Sequence, residues 1–423
     1  MPVVRASDFV IPSSFVILVS PFPLFRICAR PVRHYSLRRM KFILATIILG
    51  VAGALLHAEE APVITVTKSD KLTISVSGLG GPEGAAAQKT LQNDLAMSGY
   101  FTVVPADRAQ FQAGGSANGG TLDGKVTDHG GKSLLTKTFS GAGKAKVHEY
   151  ADEIVETLTG HRGIASTKIA FVATHTGAKE IYTADADGGS VVQLTHDRVI
   201  SVAPRLSPDG RRLLYTGYQS GYADVYEIDL GGGARNRIMK YPGTNSGATF
   251  SPDGGRIAVT LSKDGNTELY VTSSGGGGPR RLTRTPGVES SPTWSPDGNE
   301  IIYSYDEHGG PQLYRISASG GEGRQISTGH SYNTEPNWSP DGKKVAFNVR
   351  EGGGFQVAIL DLAGGGSRVV GEGQDPVWGA DSRHLIFAEG GSLILLDAQT
   401  GQRNTLVSGL GKISEPTWSR GRD

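Results

Sequence analysis

The chain has 423 residues, room for two or three ordinary domains or for one small domain and one large repeat array. Its 42 basic and 41 acidic side chains nearly cancel, which excludes the charge footprint of a nucleic-acid or anionic-membrane binder. An apolar content of 38% excludes a polytopic membrane protein, and 60 glycines in short clusters without a G-X-Y period imply many tight turns between short strands.

Residues 1–39 are apolar but broken by Pro12, Pro21, Pro23 and Pro31, and read as an upstream extension before the true initiator, Met40. Arg38-Arg39-Met40-Lys41, the apolar run from Phe42 to Leu56, and His57-Ala58 ahead of Glu59-Glu60 form a secretory signal peptide over 40–58. The run is shorter than the roughly 20 residues a membrane span needs. Cys28, the only cysteine, lies upstream of it and follows Phe25-Arg26-Ile27, which is not a lipobox. The expected product is an exported, soluble monomer from Glu59, with no disulfide and no thiolate-bound metal.

Residues 59–162 carry no repeat and read as a small α/β domain. Strands are expected at Thr73 to Ser77 and Tyr100 to Val104, around a helix from Glu83 to Met97 stopped by Gly99. A glycine-rich loop then precedes strands near 121–127 and 132–139. A second helix, from Lys146 to Leu158, is stopped by Gly160.

From residue 163 onward a repeat takes over. Ser-Pro-Asp-Gly occurs at 207–210, 251–254, 295–298 and 339–342, with weaker copies at 379–382 and 419–422. The residues just before these copies are Leu206, Phe250, Trp294, Trp338, Trp378 and Trp418, at spacings of 44, 44, 44, 40 and 40. All four tryptophans occupy this slot, as a blade-core position would require. Each unit has a short strand before Ser-Pro-Asp-Gly (A), one after it such as Lys344 to Val349 (B), a third such as Glu268 to Thr272 (C), and a short fourth such as Arg281-Leu282-Thr283 (D). Four antiparallel strands every 40–44 residues is the propeller period. The array opens on a B strand at Lys168 to Val172 and closes on an A strand at Pro416 to Trp418. Six blades are therefore predicted over 163–423, the last A strand completing the first blade and leaving no open sheet edge.

Catalytic patterns fail on inspection. Gly131-Lys132-Ser133 and Gly141-Ala142-Gly143-Lys144 lack the leading glycine of a phosphate loop, Val126 and Thr138 standing there instead. Ser220, in Gly217-Tyr218-Gln219-Ser220-Gly221, has the wrong spacing for a nucleophile elbow. Asp185-Ala186-Asp187-Gly188 is too short for a calcium loop and reads as the C–D turn of blade 1. His148, His175, His308 and His384 are scattered and read as structural or surface histidines. Neither a catalytic centre nor a cofactor or metal site is expected.

Antiparallel blades put the A–B and C–D turns on one rim and the B–C and D–A loops on the other. The second set is the more variable, for example 305–311, 244–247 and 331–335, and variable loops on a rigid scaffold are the expected binding surface.

The chain resembles the TolB family in several of these stretches. They are the junction Tyr150-Ala151-Asp152-Glu153-Ile154-Val155-Glu156-Thr157-Leu158-Thr159-Gly160, the stretch from Arg162-Gly163-Ile164 to Asp187-Gly188, Leu261-Ser262-Lys263-Asp264-Gly265-Asn266, Gly310-Pro311-Gln312-Leu313-Tyr314, and Asn93-Asp94-Leu95 with Ser98-Gly99-Tyr100-Phe101. The resemblance spans about 60–423. It implies a non-enzymatic periplasmic adaptor of a Tol–Pal system, binding a Pal-like peptidoglycan-associated lipoprotein at the propeller funnel. On that pattern the D–A loop positions Thr244, Asn245, Ser246, Gly247, Glu289, Ser290, Asn333 and Thr334 line the Pal face. A TolA-like inner-membrane protein would be engaged by the mature N-terminal segment, through Glu59, Glu60, Val63, Ile64 and Val66. The alternatives are a propeller serving another envelope protein or glycan, and a peptidase propeller. The latter needs some 250 further residues and a nucleophile elbow.

Overall fold

A computed structural model describes residues 71–421, His308 and Gly365 excepted. The extension, the signal peptide and the segment from Glu59 to Val66 lie outside the described residues.

The N-terminal region is a five-stranded sheet with two helices. Its strands are β1 (Leu72–Gly80), β2 (Phe101–Val103), β3 (Phe111–Asn118), β4 (Thr121–Asp128) and β5 (Ser133–Ser140), in the order β2-β1-β3-β4-β5. β1 runs parallel to both of its neighbours, and the other pairs are antiparallel. Helices α1 (Gly84–Met97) and α2 (Ala145–Thr159) bury Leu91, Leu95, Val147, Tyr150, Ile154 and Val155 against Ile74, Ala113, Leu122 and Val126 of the sheet. α2 ends where expected, Gly160 taking the left-handed conformation at φ 69°.

β3 stands where a glycine-rich loop was expected, and the glycines have a packing reason. A Cβ at Gly114 would lie 2.9 Å from the Ser77 carbonyl oxygen, and one at Gly124 2.6 Å from the Tyr150 ring. Tyr150 itself lies across the sheet and donates to the Gly114 and Lys125 carbonyls at 3.0 and 2.8 Å. Gly124 is thus required by the tyrosine ring laid upon it, and Gly114 by the close approach of the β1 backbone.

The remainder is a ring of six four-stranded sheets. Blade 1 contains β6 (Lys168–Ala173), β7 (Glu180–Asp185) and β8 (Val192–Gln193). Blade 2 is β9 (Ser201–Leu206), β10 (Arg212–Gly217), β11 (Asp224–Asp229) and β12 (Arg235–Met239). Blade 3 is β13 (Asn245–Phe250), β14 (Arg256–Leu261), β15 (Glu268–Ser273) and β16 (Arg280–Arg281). Blade 4 is β17 (Val288–Trp294), β18 (Glu300–Asp306), β19 (Gln312–Ser317) and β20 (Arg324–Gln325). Blade 5 is β21 (Asn333–Trp338), β22 (Lys344–Glu351), β23 (Gly354–Asp361) and β24 (Gly366–Glu372). Blade 6 is β25 (Gln374–Trp378), β26 (His384–Glu389), β27 (Ser392–Asp397) and β28 (Arg403–Val407), and β29 (Ile413–Trp418) follows it. β29 is the A strand of blade 1, pairing Ile413 with Ala173 and Trp418 with Ile169, as the phase of the repeat requires.

The repeated motif explains itself at the A–B corner. In blade 2 the Ser207 hydroxyl bonds Asp209 at 2.6 Å and accepts the Arg212 N–H at 2.9 Å, while Gly210 supplies φ 68°. Ser295 with Asp297 and Ser339 with Asp341 repeat this at 2.5 and 2.6 Å. The large residue before each turn is buried between blades, and an arginine of the preceding blade covers three of the six. Arg212 lies 4.6 Å from the Phe250 ring, Arg256 4.8 Å from Trp294 and Arg315 5.1 Å from Trp338.

The N-terminal region meets the ring on the A–B and C–D rim. Arg383 of the blade 6 A–B turn donates to the Gly99 carbonyl at 3.0 Å and to Asp397 at 2.6 Å, with its guanidinium 4.3 Å from the Tyr100 ring centre. Asp152 of α2 accepts the Ala165 and Ser166 N–H groups at 2.7 and 2.9 Å, fixing the connector into blade 1.

Candidate functional site

The opposite rim, formed by B–C and D–A connections, is the open mouth. Each A strand reaching it carries a bulge, with one residue in the left-handed region: Ala203 (φ 51°), Gly247 (63°), Ser291 (51°), Glu335 (50°), Asp375 (57°) and Glu415 (53°). Proline follows in five of the six, at Pro204, Pro292, Pro336, Pro376 and Pro416. Proline cannot donate to the ladder, so each strand steps out of register there.

The bulge residues bond to one another around the channel. Glu415 accepts the Ala203 N–H at 2.6 Å, and Asp375 accepts the Glu415 N–H at 2.9 Å. The Ser291 hydroxyl donates to Glu335 at 2.6 Å, and the Arg205 guanidinium stands 3.8 Å from the same carboxylate. Burial, reinforced by Glu335 and Glu415, pushes the Asp375 carboxyl well above the ordinary carboxylate range. Above these groups a cleft of about 950 Å³ opens over blades 5, 6 and 1, lined by six acids, Glu335, Glu351, Glu372, Asp375, Glu389 and Glu415, and by two lysines, Lys179 and Lys412. This side of the mouth is acidic. On the blade 2 side Val199, Ile200, Tyr218 and Tyr222 are exposed, Tyr222 at 72%, and the Tyr218 N–H donates to the Ile200 carbonyl at 3.1 Å. A carboxylate-lined well beside an aromatic edge can grip a polypeptide that brings basic and apolar side chains together.

The Pal-face residues expected from the sequence all reach this rim, but their placement divides them. Thr244 is exposed, Ser246, Ser290 and Thr334 are half-buried in the A strands, and Gly247 is a bulge residue. Asn245, Glu289 and Asn333 were expected in variable D–A loops; they lie in the A strands instead, Asn245 and Asn333 as the first residue and Glu289 as the second, with fully buried side chains. Asn245 donates to the Tyr241 carbonyl at 2.8 Å, Glu289 accepts from the Thr285 hydroxyl at 2.7 Å, and Asn333 donates to Gln312 at 2.7 Å. These three hold the corner behind the rim. Sequence reasoning overlooked Asp375 and Glu415, and placed Glu335 only as the end of a variable loop. Their signal was an acid directly before proline at a spacing of 40.

The histidines also divide. His384 and His148 are buried against Asp381 and Asp94 at 2.6 and 2.8 Å, while His175 is exposed and His308 lies outside the described residues. Among the described residues no helix is long and apolar enough to cross a membrane.

Comparison with known proteins bears on this architecture. The chain is 37% identical over 214 residues to the Tol-Pal system protein TolB of Geobacter metallireducens, covering 41% of this chain and 49% of that protein. It is 33% identical over 177 residues to the protein TolB homolog of Chlorobium luteolum, covering 35% and 41%. The matches thus span about half the length of these relatives. The crystal structure of TolB from Acinetobacter baumannii superposes with a TM-score of 0.72 at 24% identity, over 83% of this chain and 97% of that one, a likeness of fold. The family model described as the TolB beta propeller domain matches residues 155–422, from the end of α2 through β29, and the chain belongs to that family.

Proposed function

We propose that this chain is the periplasmic adaptor of a Tol–Pal system, acting by binding and not by catalysis. In this reading it is exported by the Sec route, its propeller mouth holds a Pal-like peptidoglycan-associated lipoprotein, and its N-terminal segment engages a TolA-like inner-membrane protein. Its task is to keep the outer membrane attached, including during constriction at division. The observation that carries the reading is the two-sided mouth, acidic over blades 5, 6 and 1 and aromatic over blade 2, on a propeller whose relatives are named for that system. Ser246, Gly247, Ser290 and Thr334 would contact the lipoprotein directly, with Asn245, Glu289 and Asn333 as supports.

Gly247→Arg is the discriminating variant. Five other blades hold a non-glycine residue in the same left-handed conformation, and a Cβ at Gly247 meets nothing closer than 3.5 Å. The ring should therefore accept the arginine at a cost of about 1–2 kcal/mol. In a pull-down from envelope extract the parent chain should recover a Pal-like lipoprotein and the folded variant should not. Equal recovery by both would remove the mouth from the reading. Recovery of a different envelope protein or a glycan would replace the Tol–Pal assignment.

A further inference from the structure

Two fragments that looked unrelated in sequence meet where the N-terminal region rests on the ring. His148 projects from α2, and Asp185 and Asp187 flank the C–D turn of blade 1. A ring nitrogen of His148 and one carboxylate oxygen from each aspartate lie within 4.8 Å of one another. The histidine is 3% exposed. Its Nδ1 is taken by Asp94 Oδ2 at 2.8 Å, and its Nε2 has no hydrogen-bond partner among the described residues. A buried ring nitrogen without a partner costs free energy unless something else occupies it.

We propose that His148 Nε2, Asp185 and Asp187 form a divalent transition-metal site that clasps α2 to blade 1. One imidazole and two carboxylates suit zinc, manganese or cobalt and leave a coordination position for water. The carboxylate bonded to the far ring nitrogen is the usual support of a metal-bound histidine, because it fixes the tautomer and orients the ring. Asp94 fills that role, its own side chain fully buried. Ligands about 2.0–2.2 Å from zinc stand roughly 3.3–3.5 Å apart, so the three atoms need to close by at most about 1.5 Å. The aspartates sit on a turn and the histidine on a helix, and a small movement of the turn supplies this. Access is open, since His148 and Asp185 line a cleft of about 830 Å³ between the N-terminal region and the ring.

Two ammonium groups hold the carboxylates meanwhile. Lys144 Nζ lies 2.9 Å from Asp187 Oδ2, and Lys168 Nζ lies 3.0 Å from Asp185 Oδ1. Both lysine side chains are about half exposed, at 44% and 52%, and can swing into solvent when a dication arrives. The inference is independent of the partner reading of the mouth, which lies on the opposite rim.

The test is zinc titration of the untagged protein, expressed in full, by calorimetry and by competition with a chromophoric chelator. One saturable equivalent is expected, with a rise in melting temperature that grows with free zinc. Asp187→Asn and Asp185→Asn, both on the turn, should each weaken binding by about 10-fold or more. Lys144→Gln should tighten it by roughly 2–5-fold, the worth of a half-exposed ion pair. X-ray absorption of the zinc complex should show one nitrogen among oxygen ligands. No saturable equivalent, or an affinity the aspartate variants leave unchanged, overturns the site. Should those variants fail to fold, an unchanged affinity in Lys144→Gln overturns it alone.

Discussion

Glu289, second residue of the A strand of blade 4, holds its carboxyl out of water, one oxygen bonded to Thr285 and the other without a partner among the described residues. Burial, helped by nearby Glu268, pushes its pKa up to about 7. The sign follows from linkage. A folded-state pKa above the unfolded value means that the folded form holds the proton more tightly between about pH 4.5 and 7. The stability this group contributes is full below that window and is lost as pH rises through 7. Glu289→Gln keeps the shape without the charge. In urea titrations at pH 5 and pH 8 the variant should therefore lose less stability between the two than the parent does. The difference should be on the order of 1–3 kcal/mol. An identical pH dependence in both proteins would mean that the carboxyl is solvated.

Single elements show which parts of the design were legible in the sequence. The Ser-Pro-Asp-Gly turns were, because serine, aspartate and glycine each have a fixed job in the corner, and the same three jobs recur at 44-residue spacing. β3 was not, since Phe111–Asn118 contains two adjacent glycines and no run of β-branched residues. Its inward residues are Ala113 and Ala117, small because Tyr150 and the helices press close. Periodicity in large apolar side chains cannot report a strand whose buried face is alanine. The bulged A strands fall between these cases: proline announced an interruption, but the ring of side chains it creates depends on six strands converging. At the joint to the N-terminal region Arg383, which reaches Gly99 and Tyr100, is paired with Asp397 of its own blade, and burial notwithstanding, the guanidinium holds the Asp397 pKa down to about 2. Arg383→Ala strands that carboxylate and frees the Gly99 carbonyl. A loss of about 3–5 kcal/mol is expected by denaturant unfolding, whereas a loss under 1 kcal/mol would show the pair to be solvent-screened.

For the molecule as a whole, closure is the governing feature. β29 lies beside β6, and the seam is fastened by the Lys168 N–H to Ser419 Oγ at 2.9 Å and Trp418 Nε1 to Thr167 Oγ1 at 2.7 Å. Without β29, blade 1 keeps three strands and exposes β6, and blade 6 loses Trp418, which shares a buried cluster with Val377, Ile386 and Leu395. A chain stopped after Lys412 should thus melt well below the parent and aggregate through the bare edge, as light scattering during a thermal ramp would record. A truncated chain that stays monomeric with the parent's melting temperature would show the seam to be dispensable.

The partners in each of the two seam bonds are 251 positions apart. On a ribosome, β6 is made early and must wait for every other strand of the ring before its inner partner exists. Contacts of such separation form late and slowly. While β29 is still inside the exit tunnel, the emerged chain has no way to lock, however many blades have already paired. A protein built so stays loose until synthesis has passed the last tryptophan.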